Sequence, residues 1–395
     1  MAVRKSKSKS TPKPASRPKV AARSRVEVKP KPKPKPAPRP GTPLIAKTTD
    51  APGGARPSPG RKPINLALQG GGAHGAFAWG AIDKLLADGR VDFEAVSATS
   101  AGAMNAVVLA EALTDGDREH ARERLTSFWK AIADAGKMWS PVKPLKDVFG
   151  HELPPEQSPL YWLFDTMIRV FSPYQLNPLN LNPLRQVLET HVDFEKLRKT
   201  KGMNVHLCAT NVETGKARIF NREELTVDTV LASACLPFLF QTIEIEGQNY
   251  WDGGYIGNPA IFPLIYGSKS CDVVIVHINP IVRRGVPKTA PEILNRINEI
   301  SFNSSLMREM RAIAFVTRLI DSGKVEEAHM KHMKIHSIRA DDVMTSHSVA
   351  SKLNPDWDFL CELKGTGEAT TEHWLRDNFE DIGVRSTVDL QTEFL

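Results

Sequence analysis

The chain is poor in cysteine: four in 395 residues, and no two share a C-x-x-C spacing. That excludes a zinc knuckle and a redox dithiol. Cys208, Cys235, Cys271 and Cys361 sit singly in apolar surroundings and read as buried free thiols in a reducing compartment. Long hydrophobic runs are also missing. None approaches the ~20 residues needed to span a bilayer, and the basic N-terminus lacks the following apolar stretch of a secretory signal. A cytoplasmic protein is the expectation. No internal repeat is present, and no Gly-Lys-Ser/Thr follows the glycine run, so a Walker phosphate loop is excluded. His329 and His332 stand three apart on an expected helix with His336 nearby. No carboxylate or cysteine pattern supports them as ligands, and no metal is expected.

Acidic residues are nearly absent from the first 62 positions, which hold 18 Lys and Arg against Glu27 and Asp50, a net +16. The remaining residues carry 34 basic and 43 acidic side chains, a net −9, so the overall +7 describes neither part. A nucleic-acid-binding domain would build its basic surface into the fold, and no specific nucleic-acid partner is expected. The stretch KPKPKPKPAPRP within 1–62 alternates a charge with an imino acid. It reads as a disordered, polyproline-like tail suited to contact with anionic surfaces.

From Ile64 onward the pattern is that of a buried α/β sheet. Apolar runs at 64–69, 93–99, 205–212, 240–247, 272–278 and 334–340 read as strands, with helices near 75–88, 101–113, 117–135, 289–322 and 369–380. Residues 63–285 form the expected catalytic domain and 286–395 a helical and strand extension packed on it. The segment 138–182, rich in proline and carrying Trp139, Trp162, Phe164, Phe171 and Tyr174, reads as an insertion that covers an acyl-chain groove or packs as an ordinary subdomain. Ile293, Ile297 and Ile300 form a stripe expected to face the core rather than a membrane.

Three stretches carry chemistry. The first is Gly70-Gly71-Gly72-Ala73-His74-Gly75, after a strand and opening a helix. A dinucleotide site would add an acid at the end of the second strand; Glu94 has the distance but stands at the start of its run. Consecutive glycines also aim backbone N–H groups at one point, which suits any anion, including the oxyanion of acyl transfer. The second is Ala98-Thr99-Ser100-Ala101-Gly102, close to the G-x-S-x-G elbow that projects a nucleophile. Ala98 replaces the first glycine with one extra methyl. Locally, Thr99 or Ser100 could equally cap the helix that follows. The third is Asp252-Gly253-Gly254, in isolation an ordinary turn.

Together and in this order, GGGAHG, ATSAG and DGG resemble the motifs of the patatin-like phospholipase family, over roughly residues 64–280. Many members carry Arg or Lys where His74 stands. The resemblance implies a three-layer α/β sandwich with a mostly parallel central sheet. It implies a Ser–Asp dyad of Ser100 as nucleophile and Asp252 as base, with an oxyanion hole from Gly70, Gly71, Gly72 and Ala73. His74, Gly75, Ala98, Gly102, Gly253 and Gly254 support these motifs. The expected activity is hydrolysis of fatty-acyl esters of lipids at a membrane or lipid surface, without a cofactor. A Ser-His-Asp triad through His277 is the competing mechanism, though His277 lies inside an apolar strand and reads as a core histidine. A catalytically weak lipid-binding scaffold and a nucleotide-binding oxidoreductase are the rival functions.

Overall fold

The computed structural model describes residues 60–139, 145–146, 152–153, 159–326 and 329–395. The basic tail up to residue 59, much of 138–158, and the side chains of Trp139 and Trp162 lie outside the described residues.

Ten strands are present among the described residues: β1 (Lys62–Leu68), β2 (Val91–Ala98), β3 (Leu145–Lys146), β4 (Glu152–Leu153), β5 (Asn204–Asn211), β6 (Ala217–Asn221), β7 (Ile243–Ile245), β8 (Gln248–Asp252), β9 (Asp272–Val276) and β10 (Lys334–Ile338). β3 and β4 form a separate antiparallel pair. The other eight make one sheet in the order β10-β9-β1-β2-β5-β8-β7, with β6 also on β5. From β10 to β5 every pairing is parallel; β6, β7 and β8 are antiparallel.

The parallel part is covered on both faces, as its near-continuous apolar strands require. Ile64, Leu66 and Leu68 of β1 enter one apolar cluster with helices α1 (Gly75–Asp88), α2 (Ala101–Ala112) and α3 (Arg118–Trp139). Ala67 enters a second cluster with Leu264 and with Leu306, Met310 and Ile313 of the helix Ala290–Asp321. β9 splits the same way, Val274 and Val276 to one face, Val273 and Ile275 to the other. Period-two alternation thus yields three layers. Each fully buried Leu or Ile contributes roughly 1.5–3 kcal/mol.

The second long helix begins at Trp357, well before residue 369, and runs to Asn378. Asp356 caps it, its Oδ1 accepting from the amides of Asp358 and Phe359. Gly367 argues against helix on propensity. Here it lets the helix meet α1: a β-carbon on Gly367 would lie 2.1 Å from the Phe77 carbonyl, and one on Gly80 2.0 Å from that of Lys364. Two further expectations are corrected. Ile293, Ile297 and Ile300 are exposed, and the helix buries Phe302, Leu306 and Met310 instead. His329 and His332 lie in turn and coil rather than helix. The single expected strand at 240–247 is the hairpin of β7 and β8, turned at Glu246 and Gly247, both with positive φ.

Candidate functional site

The sheet register brings the second and third motifs together. β2 and β8 lie on the same edge of β5, opposite β6, and point at each other. Ala98, the last residue of β2, pairs with Leu207; Asp252, the last of β8, pairs with Ala209. Only Cys208 separates the two rungs. Its carbonyl accepts from Ser233 Oγ at 2.7 Å, and Ser233 Oγ in turn accepts from the Ser100 amide at 3.0 Å. Gly253 needs to be glycine because a β-carbon there would lie 2.1 Å from the Cys208 carbonyl.

Ser100 has φ 55° and ψ −123°, a region that L-residues enter at a cost of about 1–3 kcal/mol and that clusters at functional sites. It stands at the N-cap of α2, yet its hydroxyl makes no capping bond. Thr99 does not cap either: its hydroxyl donates to the Gly257 carbonyl at 2.6 Å. The elbow is closed by small residues. A β-carbon on Gly102 would lie 2.5 Å from the Leu68 carbonyl oxygen, and one on Gly75 2.6 Å from the Ala101 β-carbon. Ala98 is fully buried in the main apolar cluster.

Asp252 is fully buried. Its Oδ1 accepts from the Gly254 amide at 2.7 Å, while no partner among the described residues meets full hydrogen-bond geometry with Oδ2. Loss of solvation pushes the carboxyl up to about 6, opposed by the Gly254 amide, the neighbouring Ser100 hydroxyl and the charge of Lys352. The Ser100 hydroxyl thus neighbours the carboxylate, and catalytic hydrogen bonds of this kind often tighten only when substrate binds.

The glycine loop presents donors unevenly. The Gly70 amide is already taken, donating to Asn258 Oδ1 at 2.7 Å, and its carbonyl accepts from Asn279 Nδ2. Gly70 thus supports the loop and is not an available donor, which corrects its expected place in an oxyanion hole. The amides of Gly71, Gly72 and Ala73 open the short helical turn Gly72–His74 and make no hydrogen bond among the described residues. Gly72 has φ +60°, and a β-carbon there would lie 2.3 Å from the Lys352 carbonyl.

His74 is buried, and loss of solvation holds its pKa well below the ordinary value. Ser351 Oγ spends its proton on the Ser348 carbonyl, so at 2.7 Å it accepts from His74 Nε2. His74 is a neutral donor tying the loop to the segment 348–352. His277 lies elsewhere in function: its ring stacks on Phe394 at 6.2 Å, neither nitrogen finds a partner among the described residues, and burial pushes it down to about 3. Glu94 is occupied by the amides of Lys269 and Ser270. His329, His332 and His336 pair separately with Glu326, Asp321 and Asp272.

Sequence reasoning misses the polar frame behind the loop. Gln69 is fully buried; its Oε1 accepts from the amides of Ile278 and Asn279, and its Nε2 donates to Asn303. The apolar run ending at Gln69 was its only signal. Lys352 and Ser351 had none, because what makes them part of the site is their spatial position. Surface hollows lined by Lys84, Arg90 and His373, and by Arg122, Trp357 and Lys364, contain none of the motif residues. No helix among the described residues is long and apolar enough to cross a membrane.

With this geometry in hand, comparison with known proteins is informative on family. Residues 66–265 match the family described as patatin-like phospholipase. No curated protein matches the chain. Among solved structures, VipD from Legionella pneumophila aligns with 16% identity and TM-score 0.39, covering 81% of this chain and 67% of that one. A chain from the complex of full-length SpcU with full-length ExoU, of the type III secretion system of Pseudomonas aeruginosa, aligns with 14% identity and TM-score 0.29, covering 84% and 61%. The chain therefore spans under two thirds of the length of the second.

Proposed function

Since the chain belongs to the patatin-like phospholipase family, we propose that it is a lipid acyl hydrolase that cleaves fatty-acyl esters with Ser100 and Asp252. Ser100 Oγ attacks the ester carbonyl as its proton passes to Asp252 Oδ2. The oxyanion is held by the amides of Gly71, Gly72 and Ala73 at the start of the helical turn. Collapse expels the alcohol, which takes the proton from Asp252, and leaves an acyl–Ser100 ester. Asp252 then accepts a proton from water, the hydroxide attacks, and the fatty acid departs as Ser100 recovers its proton.

The observation that carries this reading is the pairing of two groups left unspent. A strained serine that does not cap its helix stands beside a buried carboxylate whose Oδ2 has no well-formed hydrogen bond among the described residues. A carboxyl near 6 is ionised at neutral pH yet basic enough to take the serine proton during attack. The chemistry needs no cofactor. The substrate is placed at a lipid surface, with the basic segment 1–62 adding contact to anionic lipid.

A fluorophosphonate probe tests the assignment: it should label the wild type at Ser100, and not Ser100→Ala. Hydrolysis of short and long acyl esters should fail in both Ser100→Ala and Asp252→Asn. A folded wild type that takes up no probe would favour a lipid-binding scaffold.

A further inference from the structure

Lys352 reaches the site from the turn Ala350–Leu353, well beyond the family-matched residues. Its backbone fills the space beside Gly72. Its Nζ donates to Asn279 Oδ1 at 2.8 Å and to Asn298 Oδ1 at 2.9 Å. Because an ammonium only donates, these contacts fix both amides with oxygen toward it. Asn279 is thereby left to donate from Nδ2 to the Gly70 carbonyl at 3.0 Å, which links Lys352 to the glycine loop.

The hydrogen-bond partners of Nζ among the described residues are neutral amides, and it also lies over the Phe302 ring, 5.6 Å from the centroid; none of these is an anion, so the charge is not cancelled by contact. An ammonium carries three N–H groups; one has no hydrogen-bond acceptor among the described residues. Burial pushes Lys352 down to about 8, against the charges of Glu299 and Asp252, which favour the ammonium. Glu299 is itself bound by Arg283 and Arg296, and His74, on which Lys352 also acts, is neutral. Other buried donors around the loop lack acceptors among the described residues too: the amides of Gly71 and Ala73, and Asn258 Nδ2. Buried donors without acceptors are rare, and an anion would satisfy several of them at once.

Resting on the acyl-hydrolase reading, we propose that Lys352 is the anion-holding cation of this site. Its free N–H would bind a negative substrate oxygen, either the oxyanion formed at the carbonyl that Ser100 attacks or the phosphate of a phospholipid headgroup. Two measurements test this. The first needs no turnover: melting temperature is followed against inorganic phosphate for wild type, Lys352→Met, Lys352→Arg and Asn298→Asp. Wild type and Lys352→Arg should be stabilised by phosphate, and Lys352→Met should not. Asn298→Asp, which gives Nζ a carboxylate, should show a weaker effect and serves if the Met variant does not fold. No phosphate effect in wild type, or an equal one in Lys352→Met or Asn298→Asp, overturns the proposal.

The second measurement identifies the source of the charge, using p-nitrophenyl butyrate and phosphatidylglycerol vesicles. A tenfold or larger loss in Lys352→Met on both substrates, retained by Lys352→Arg, assigns the oxyanion. A loss on the vesicles alone, seen as a raised KM, assigns the headgroup phosphate. No loss on either overturns the proposal. Should Ser100→Ala keep its rate, the reading of Ser100 as nucleophile falls, while the phosphate titration still decides Lys352.

Discussion

Gly70 and Ser100 approach so closely that a β-carbon on Gly70 would lie 2.6 Å from Cβ of Ser100. The Thr99 carbonyl oxygen would be 2.9 Å away as well, so the first and second motifs pack with no room for a side chain at residue 70. Gly70→Ala is expected to displace the elbow and lower kcat/KM by about 100-fold, roughly 2.7 kcal/mol, and to lower the melting temperature. A near-wild-type rate from a folded Gly70→Ala protein would show that the elbow tolerates movement. Ala98→Gly should do far less, costing about 0.5–1 kcal/mol of stability with little change in rate.

The backbone of Ser100 gives a second prediction, separable from chemistry. At φ 55° glycine is comfortable and alanine is not. Both Ser100→Gly and Ser100→Ala should lose about 1,000-fold or more in kcat. In denaturant titrations Ser100→Gly should be the more stable of the two, by about 1 kcal/mol. The reverse order would mean that the elbow relaxes without the serine.

Asp252 predicts a pH dependence in both activity and stability. With its carboxyl at about 6, kcat/KM should rise with pH through a limb near that value, because only the carboxylate accepts the serine proton. Stability runs the other way. The unfolded carboxyl ionises near 4, so the folded state holds its proton longer and loses stability as pH rises from about 4 to 6. Asp252→Asn removes that loss. Melting curves should show it up to about 3 kcal/mol more stable than wild type at pH 7, and nearly equal at pH 4.

His277 separates a dyad from a triad. Its ring lies on Phe394 with both nitrogens unpartnered among the described residues. His277→Ala should therefore keep most of the esterase rate while losing about 2–4 kcal/mol of stability through the cavity it leaves. An inactive but folded His277→Ala protein, beside an active Asp252→Ala, would replace the dyad.

Legibility differed with the range of the interaction. β1, β2, β5, β9 and β10, and the helices leading from the glycine loop and from Ser100, follow local apolar patterning and were readable. β6 was not: of ARIFN only Phe220 is buried, so no alternation marks it. The helix Trp357–Asn378 was readable only in part, because Gly365 and Gly367 lower its propensity and the need for Gly367 lies in α1. The Ile293, Ile297 and Ile300 stripe was readable as helical but not as exposed, since one face of Ile looks like any other until a partner is placed. In the site, the motif residues carried their own signal, whereas Gln69, Asn279, Ser351 and Lys352 acquire theirs only when the chain brings distant segments together.

The position of β10 has a consequence for excision. It pairs along β9 from Asp272 to Val276, a strand whose five residues are all buried. A fragment trimmed near residue 285 would retain every motif yet expose DVVIV as an unprotected edge, with open amides and carbonyls beside four Val and Ile side chains. Such an edge recruits other strands. The stretch that carries the chemistry is accordingly expected to aggregate when cut free, and residues 334–338 act as its built-in chaperone.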